Sequence, residues 1–159
     1  MAAPDIVMYE EEFNQIKTVI SKLRIDANAK VVFLVDKNGQ QIAAQGEIEN
    51  LDTTSLASLT AGNVAATDGL ARLIGEKEFS ILFHEGERDN IHISIVAQRV
   101  ILVVIFDERS SLGLVRLRVK KASGELNDVF ARIMSKVERE RAAAGAAFES
   151  PFAEITDDD

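Results

Sequence analysis

The sequence predicts an α+β domain, a five-stranded antiparallel sheet with helices on both faces, in the order α-β-β-α-β-β-β-α. Three observations lead to this prediction. Three long segments carry apolar residues at helical spacing. Five short segments are predicted strands, and three of them, Val31–Val35, Asn90–Ala97 and Arg99–Phe106, are rich in β-branched residues. Short turn sequences join neighbouring strands, and such turns connect antiparallel strands because parallel ones need a longer crossover.

Composition limits the class of protein. With 159 residues, 47% of them hydrophobic, the chain is expected to form one globular domain. The net charge of −8 argues against nucleic-acid binding, and the absence of cysteine excludes disulfides and thiolate metal sites. The longest apolar run, Val100–Phe106, is too short to span a membrane, and Met1–Asp5 does not resemble a secretory signal. We therefore expect a soluble cytoplasmic protein that does not insert into membranes.

The first half of the chain begins with a helix from about Met8 to Leu23, with three glutamates in its first turns where the helix dipole favours carboxylates. Val31–Val35 is apolar on both faces, as expected of a central strand. Asp36–Gly39 is predicted to form a hairpin turn, with Asn-Gly supplying positive φ angles, and Gln41–Gly46 is the returning strand.

The second helix is predicted to begin at Asp52, a good N-cap residue, and to stop at Gly75. One stripe of apolar residues, mostly leucines, recurs at helical spacing and is predicted to face the core. They are Leu56, Leu59, Ala66, Leu70 and Leu73. Small residues recur at i, i+4 on the other side, and these are Ala57, Ala61, Ala65 and Gly69.

The small residues of this helix have two interpretations. Alanine is the best helix former, so a small-residue face does not by itself mean contact with another molecule. Gly62 and Gly69 argue for contact, because each glycine costs about 1 kcal/mol relative to alanine in a helix interior. We favour an interaction surface.

Three strands follow, at about Phe79–His84, Asn90–Ala97 and Arg99–Phe106. In the middle one, isoleucines alternate with His92 and Ser94, which predicts one wetter face. The first strand is apolar on both sides yet begins its meander, so we expect it at the sheet edge. Exposed edges invite pairing with another chain. The predicted homodimer edge consists of Phe79, Ile81 and Phe83.

The last helix is predicted from Leu112 to at least Val137, although alternation within Leu114–Val119 leaves a strand open there. We expect it to end near Ala144–Ala146. Residues 7–137 then form the folded domain, and residues 138–159 form a helical extension and a flexible acidic tail.

Motifs for catalysis, nucleotides, metals or other cofactors are missing from the sequence. His84 and His92 are expected to be strand histidines with satisfied hydrogen bonds. Arg109 lies in a polar loop from which an arginine finger could reach a partner, but a solvated loop charge is the favoured interpretation. The sequence predicts no enzyme.

Several stretches resemble the Roadblock/dynein-light-chain family and, within it, bacterial gliding-motility regulators. The matching stretches are Met8–Phe13, Ala29–Gly39, Asp52–Ala66, Ser111–Arg118 and the tail Ser150–Ile155. The resemblance covers about Val7 to Val137 plus that tail, and is specific because long stretches occur in one order. Residues 138–147 match no family pattern.

This resemblance implies a homodimer whose edge strands pair into one continuous sheet, with the second helices side by side. It implies a partner, a Ras-like small GTPase of the MglA type, and an activating role in cell polarity at one cell pole. The regulator stabilises the active GTPase conformation and supplies no catalytic residue. The expected partner-binding residues are Ala57, Ala61, Ala65, Asp68, Gly69 and Arg72, with tail contacts at Phe148, Pro151, Phe152 and Ile155.

Three other functions stay open on the sequence. A dimeric scaffold of the same fold would bind its partner without altering hydrolysis. A small-ligand sensor would need a pocket within the sheet, and the large aliphatic residues of Val100–Phe106 leave little room for one. An enzyme is the least favoured.

Overall fold

The computed structural model describes the backbone of residues 7–157 and the side chains of residues 7–146. Its elements follow the predicted order, which confirms the fold class. They are α1 (Glu10–Asp26), β1 (Val31–Asp36), β2 (Gln41–Gly46), α2 (Thr53–Leu73), β3 (Ile81–Glu85), β4 (Asn90–Val96), β5 (Val100–Phe106) and α3 (Leu112–Asp157).

The five strands form one antiparallel sheet in the order β2-β1-β5-β4-β3. Helices α1 and α3 pack against each other over one face, and α2 covers the other. Every residue of β1 and β5 is buried, as their continuous apolar sequences predict for central strands. Strand β3 lies at a sheet edge, as predicted, although Phe79 precedes the strand itself.

Two tight turns meet at one end of the sheet. In the β1–β2 turn, Asp36 Oδ1 accepts hydrogen bonds from the backbone N–H groups of Asn38 and Gln40, at 2.9 and 3.0 Å. Within this turn Gly39 has a positive φ of 92° and Asn38 does not, so the prediction of a positive φ at Asn38 is wrong. The two hydrogen bonds to the Asp36 side chain stabilise the turn without a positive φ at Asn38. The neighbouring β4–β5 turn is joined to α3, where Asn127 Oδ1 accepts from the Ala97 N–H at 2.9 Å.

Helix α2 has defined ends, both predicted from the sequence. The Asp52 side chain accepts a hydrogen bond from the Ser55 N–H at 3.0 Å. At the other end Gly75 has φ 85°, and the N–H groups of Glu76 and Gly75 donate to the carbonyls of Ala71 and Arg72. This is the Schellman arrangement, which satisfies carbonyls that the last turn leaves open.

Helix α3 differs from its prediction in length. It is helical throughout Leu114–Val119, so the strand alternative is wrong, and it continues to Asp157 instead of ending near Ala144–Ala146. Alanine is the strongest helix former, which accounts for continuation through the alanine-rich stretch. The predicted tail contacts Phe148, Pro151, Phe152 and Ile155 have side chains outside the described residues.

The predicted wetter face of β4 is also wrong. His92 and Ser94 are buried, at 1% and 6% exposure, on the face covered by α1 and α3. Alternation identifies which residues share a face, but exposure depends on what packs over that face. Here α3 contacts β4 and closes it from water.

Candidate functional site

Helix α2 is turned over relative to the sequence prediction. The side that packs on the sheet carries Ala57, Thr60, Ala61, Val64 and Ala71. Of the residues predicted to face the core, only Leu56 packs against it. Ala66 is exposed, and Leu59, Leu70 and Leu73 point to solvent at 73%, 57% and 83% exposure. Ala57 and Ala61, predicted to bind a partner, are buried against this chain's own sheet. Those two assignments are wrong.

The physical reason lies in the sheet beneath the helix. It presents large side chains, including Phe33, Ile101 and Val103, and these fill the layer that α2 covers. Small residues on the helix let its backbone lie close to such a surface, where leucines would overfill the space. Val64 and Ala71 were the available signal, since both are apolar and both lie outside the predicted core stripe.

The second half of the small-residue series stays open to solvent, as predicted. Ala65, Gly69 and Arg72 are exposed, and Asp68 is half-buried. A Cβ built on Gly69 or Gly62 would meet no described atom within 4 Å, apart from the helix's own neighbouring backbone. Packing among the described residues therefore does not require glycine at either position. A contact made by another molecule would account for its cost in the helix.

The exposed surface of α2 has two sides with different neighbours. On one side Asn63 Nδ2 lies 2.9 Å from Nε2 of His84 in the edge strand β3. On the other side Ser58 lies next to Gly39 in the β1–β2 turn, where a Cβ on the glycine would come within 3.4 Å of the Ser58 Cα. At about 100° per residue, Leu59 and Leu70 project near the Asn63 side, and Ala65 and Gly69 project near the Ser58 side.

We call the first the leucine side, comprising Leu59, Leu70, Leu73 and Ile74, and the second the small-residue side, comprising Ala65, Gly69 and Arg72. Four large apolar residues are exposed on α2 and its C-cap, and clustered exposed apolar residues are typical of an interaction site. Periodicity alone predicts that these leucines face the core, so it does not identify the leucine side as an interaction surface.

The edge strand adds a further contact surface beside the leucine side. Within the described chain, β3 pairs only with β4, so its outer backbone groups have no strand partner. Ile81 is half-exposed, while Phe83 is half-buried and stacks on Phe106 with ring centroids 6.2 Å apart. An unpaired apolar edge of this kind is suited to strand pairing.

Arg109 is held by carboxylates. Its guanidinium forms ion pairs with Asp107 at 2.9 Å and Glu47 at 3.4 Å. The hydrogen bond to Asp107 raises the pKa of Arg109, and the same contact lowers the pKa of the Asp107 carboxyl. Asn28 Nδ2 also donates to the Arg109 carbonyl oxygen. These contacts favour a structural role in fixing the loop before α3.

The two histidines, His84 and His92, differ in their hydrogen bonding. His84 has the satisfied hydrogen bond expected from the sequence, through Asn63. His92 does not, because both of its ring nitrogens are buried without a hydrogen-bond partner among the described residues. Burial, with a smaller contribution from Arg116, lowers its pKa. In the described part of the chain, no group of three or more His, Cys, Asp or Glu could hold a metal ion.

Among the residues that the structure describes, no helix combines the length and the apolar character needed to cross a bilayer.

Comparison with protein families gives a match to the Roadblock/LC7 domain over residues 15–106. No curated protein sequence matches the chain.

Solved structures resemble the chain over most of its length. MglB of Myxococcus xanthus is 65% identical with a TM-score of 0.76, covering 80% of this chain and 96% of that one. The gliding protein MglB of Thermus thermophilus is 30% identical with a TM-score of 0.77, covering 82% and 99%. An MglB described as having a tetrameric arrangement is 29% identical with a TM-score of 0.77, covering 83% and 99%.

Proposed function

Because this chain belongs to the Roadblock/LC7 domain family and is similar to MglB proteins, we propose that it regulates a Ras-like small GTPase of the MglA type. In this proposal it acts as a GTPase-activating protein and polarity regulator in gliding motility, enriched at a cell pole. It is a homodimer that stabilises the active GTPase conformation and inserts no catalytic residue. The observation that carries the proposal is the exposed, two-sided outer surface of α2.

The homodimer uses the leucine side of α2 and the β3 edge. Both lie at the same border of the molecule, because the Asn63–His84 contact joins the helix to that strand. Pairing of two β3 strands would satisfy their outer backbone groups, and the leucine sides of two α2 helices would then pack together. Burial of large apolar side chains supplies the stabilising free energy.

The GTPase binds the small-residue side. Ala65 and Gly69 leave the helix backbone accessible there, so a partner surface can approach closely. Arg72 lies on the same side, one turn from Asp68, and offers a charged contact to the partner. The C-terminal residues Phe148, Pro151, Phe152 and Ile155 form a second contact with the GTPase.

Activation without a catalytic residue is supported by the state of Arg109. An arginine finger must extend into the partner's site and stabilise charge on the transferred phosphoryl group. Arg109 would first have to give up contacts with two carboxylates. The regulator therefore acts by holding the GTPase in the conformation in which its own catalytic groups are aligned.

A single-turnover GTP hydrolysis assay with the cognate GTPase tests this proposal. We expect this chain to accelerate hydrolysis by about tenfold or more, below the roughly 10³–10⁵ that arginine fingers contribute. Binding without acceleration would identify the chain as a non-activating dimeric scaffold. Absence of binding at micromolar concentration would contradict both functions.

A further inference from the structure

A groove lies along one flank of α3, on the sheet face opposite α2, and two contacts fix how α3 lies over strand β4. Burial lowers the pKa of His92 and the charge of Arg116 adds to this effect, so the Arg116 side chain lies near that ring. Further along, Asn127 Oδ1 accepts a hydrogen bond from the Ala97 N–H at 2.9 Å. Residues 116–127 of a helix and residues 92–97 of a strand both span about 16 Å, so α3 runs parallel to β4.

The flank of α3 that faces β3 is basic near the start of the helix. At about 100° per residue, Arg116, Lys120 and Asn127 project within roughly 40° of one another. Arg116 and Lys120 are exposed. Residues 112–124 contain four basic residues and no acidic residue, in a chain of net charge −8. This basic wall is therefore suited to a partner that carries carboxylates.

Strand β3 forms the floor beside the basic wall. Its Phe83 and Ile81 pair with His92 and Ser94 of β4, so they lie level with that part of α3. Phe83 packs against the core beneath α1 and α3, and Ile81, two residues away, lies on the same face. Ile81 is 50% exposed. The floor is therefore apolar and partly open to solvent.

The groove ends in a cleft of about 510 Å³ between α3 and the β4–β5 turn. Asn127 lines this cleft, so the cleft opens on the same flank as the basic wall. Phe130 and Met134 give it an apolar side, and Met134 is 38% exposed. Glu78 also lines the cleft, and its charge is offset by an ion pair with Lys37 at 3.8 Å. The cleft can therefore take an apolar group, and its volume is within the roughly 300–1,000 Å³ of ligand sites.

We propose that this α3 groove binds an acidic, amphipathic segment of a partner protein. Carboxylates of the segment contact Arg116 and Lys120, and an apolar side chain fills the cleft about 20 Å further along the helix. Charge complementarity with the basic wall identifies the segment as acidic, and the apolar floor and cleft identify it as amphipathic. A lipid surface could reach the basic residues but is too flat to fill the cleft.

The inference does not depend on the proposed function, because the α3 groove lies on the face of the sheet that α2 does not cover. Pairing of β3 in a homodimer would use backbone groups at the edge of the strand, whereas the groove uses side chains on one face. A segment bound in the α3 groove would therefore leave both sides of α2 accessible.

Selection of peptides by the full chain tests the proposal. The probe is a phage-displayed library of random peptides of about 12 residues, long enough to span the groove when extended. We expect enriched peptides to combine several Asp or Glu residues with a large apolar residue. The affinity of a synthetic enriched peptide, measured by fluorescence anisotropy, should fall as salt rises. Failure to enrich any peptide, or enrichment of peptides without acidic residues, would overturn the proposal.

Charge reversal locates the binding site. Arg116→Glu combined with Lys120→Glu is expected to weaken binding of the enriched peptide about tenfold or more. The matched control is Lys22→Glu combined with Lys121→Glu, which changes the net charge equally on the flank of α3 that faces α1. At about 0.15 M salt the control should bind within about twofold of the native chain. Equal losses in the two proteins would indicate general electrostatic attraction and overturn the proposal.

The cleft is tested without a change of charge. Met134→Ser is expected to weaken binding of the same peptide about fivefold or more, because the apolar wall of the cleft is lost. Leu117→Ser is the control, since Leu117 is 62% exposed on the outer side of α3, and it should bind like the native chain. Unchanged binding by Met134→Ser would overturn the placement of an apolar side chain in the cleft.

Two other occupants of the groove are distinguished in the same way. Vesicles of phosphatidylserine and phosphatidylcholine serve as the lipid probe. Binding to these vesicles that is lost in the Arg116→Glu and Lys120→Glu double variant, without enrichment of peptides, would assign the groove to a membrane surface. Enriched peptides that match residues 148–155 of this chain would assign it to a second copy. Either result would overturn the proposal.

Discussion

Asn63 of helix α2 and His84 of strand β3 approach within 2.9 Å, between Nδ2 and Nε2. This contact joins the outer part of the helix to the edge of the sheet. It places the leucine side of α2 beside the unpaired border of β3 and leaves Ala65 and Gly69 on the other side, which they share with Ser58. One helix can therefore serve a homodimer on one side and a partner on the other.

The small-residue side predicts the effect of adding bulk. Ala65→Arg or Gly69→Arg is expected to preserve folding and dimerisation but to weaken GTPase binding about 100-fold. The added side chain separates the surfaces, and an unpaired charge buried in the contact costs several kcal/mol. Binding is measured by titration of the GTPase and activation by single-turnover hydrolysis.

Gly124→Arg is the matched control, because Gly124 is also a helical glycine with no described atom near its Cβ position. It should bind and activate like the native chain. Full activity of both Ala65→Arg and Gly69→Arg would show that these residues do not contact the GTPase.

The leucine side predicts the effect of a charge on dimerisation. Leu70→Asp is expected to raise the dimer dissociation constant about 10³-fold, since each two-fold interface loses the apolar contact twice. Sedimentation or size-exclusion mass measures this change. Leu117→Asp on α3, where the leucine is 62% exposed, is the control and should leave the mass unchanged. An unaltered dimer of the Leu70→Asp chain would place the interface elsewhere.

Arg109 tests the absence of an arginine finger. Arg109→Ala should retain GTPase stimulation within about threefold and leave the free energy of unfolding nearly unchanged, because exposed ion pairs contribute little. Hydrolysis and urea unfolding measure the two effects. Loss of stimulation with intact binding would instead make Arg109 a catalytic contributor.

His92 predicts a pH dependence of stability. Burial lowers its pKa in the folded chain, so below the ordinary value of about 6.5 the unfolded chain binds a proton that the folded chain does not. The free energy of unfolding is therefore not reduced by His92 above that pH. It decreases as the pH falls from that value toward the lowered pKa of the folded chain. Urea unfolding at pH 7.5 and 5.5 measures it.

His92→Leu removes the titrating group and the two unsatisfied ring nitrogens. It is expected to be neutral or stabilising at pH 7.5 and to lose less stability between pH 7.5 and 5.5 than the native chain. An equal loss in both proteins would assign the acid sensitivity to other groups.

The sequence by itself determined the order of elements, the central position of β1 and β5, the edge position of β3 and both ends of α2. Each of these depends on local chemistry or on a continuous apolar run, which neighbouring residues already contain. It also identified Ala65 and Gly69 as exposed.

Tertiary structure decided which side of α2 faces the sheet, the burial of His92 and Ser94, and the separation of the two sides of the candidate site. The helix carries large apolar residues on one side and small apolar residues on another, so its periodicity fits two orientations. The large side chains of the underlying sheet select the one with small residues inward, and those side chains come from strands distant in sequence.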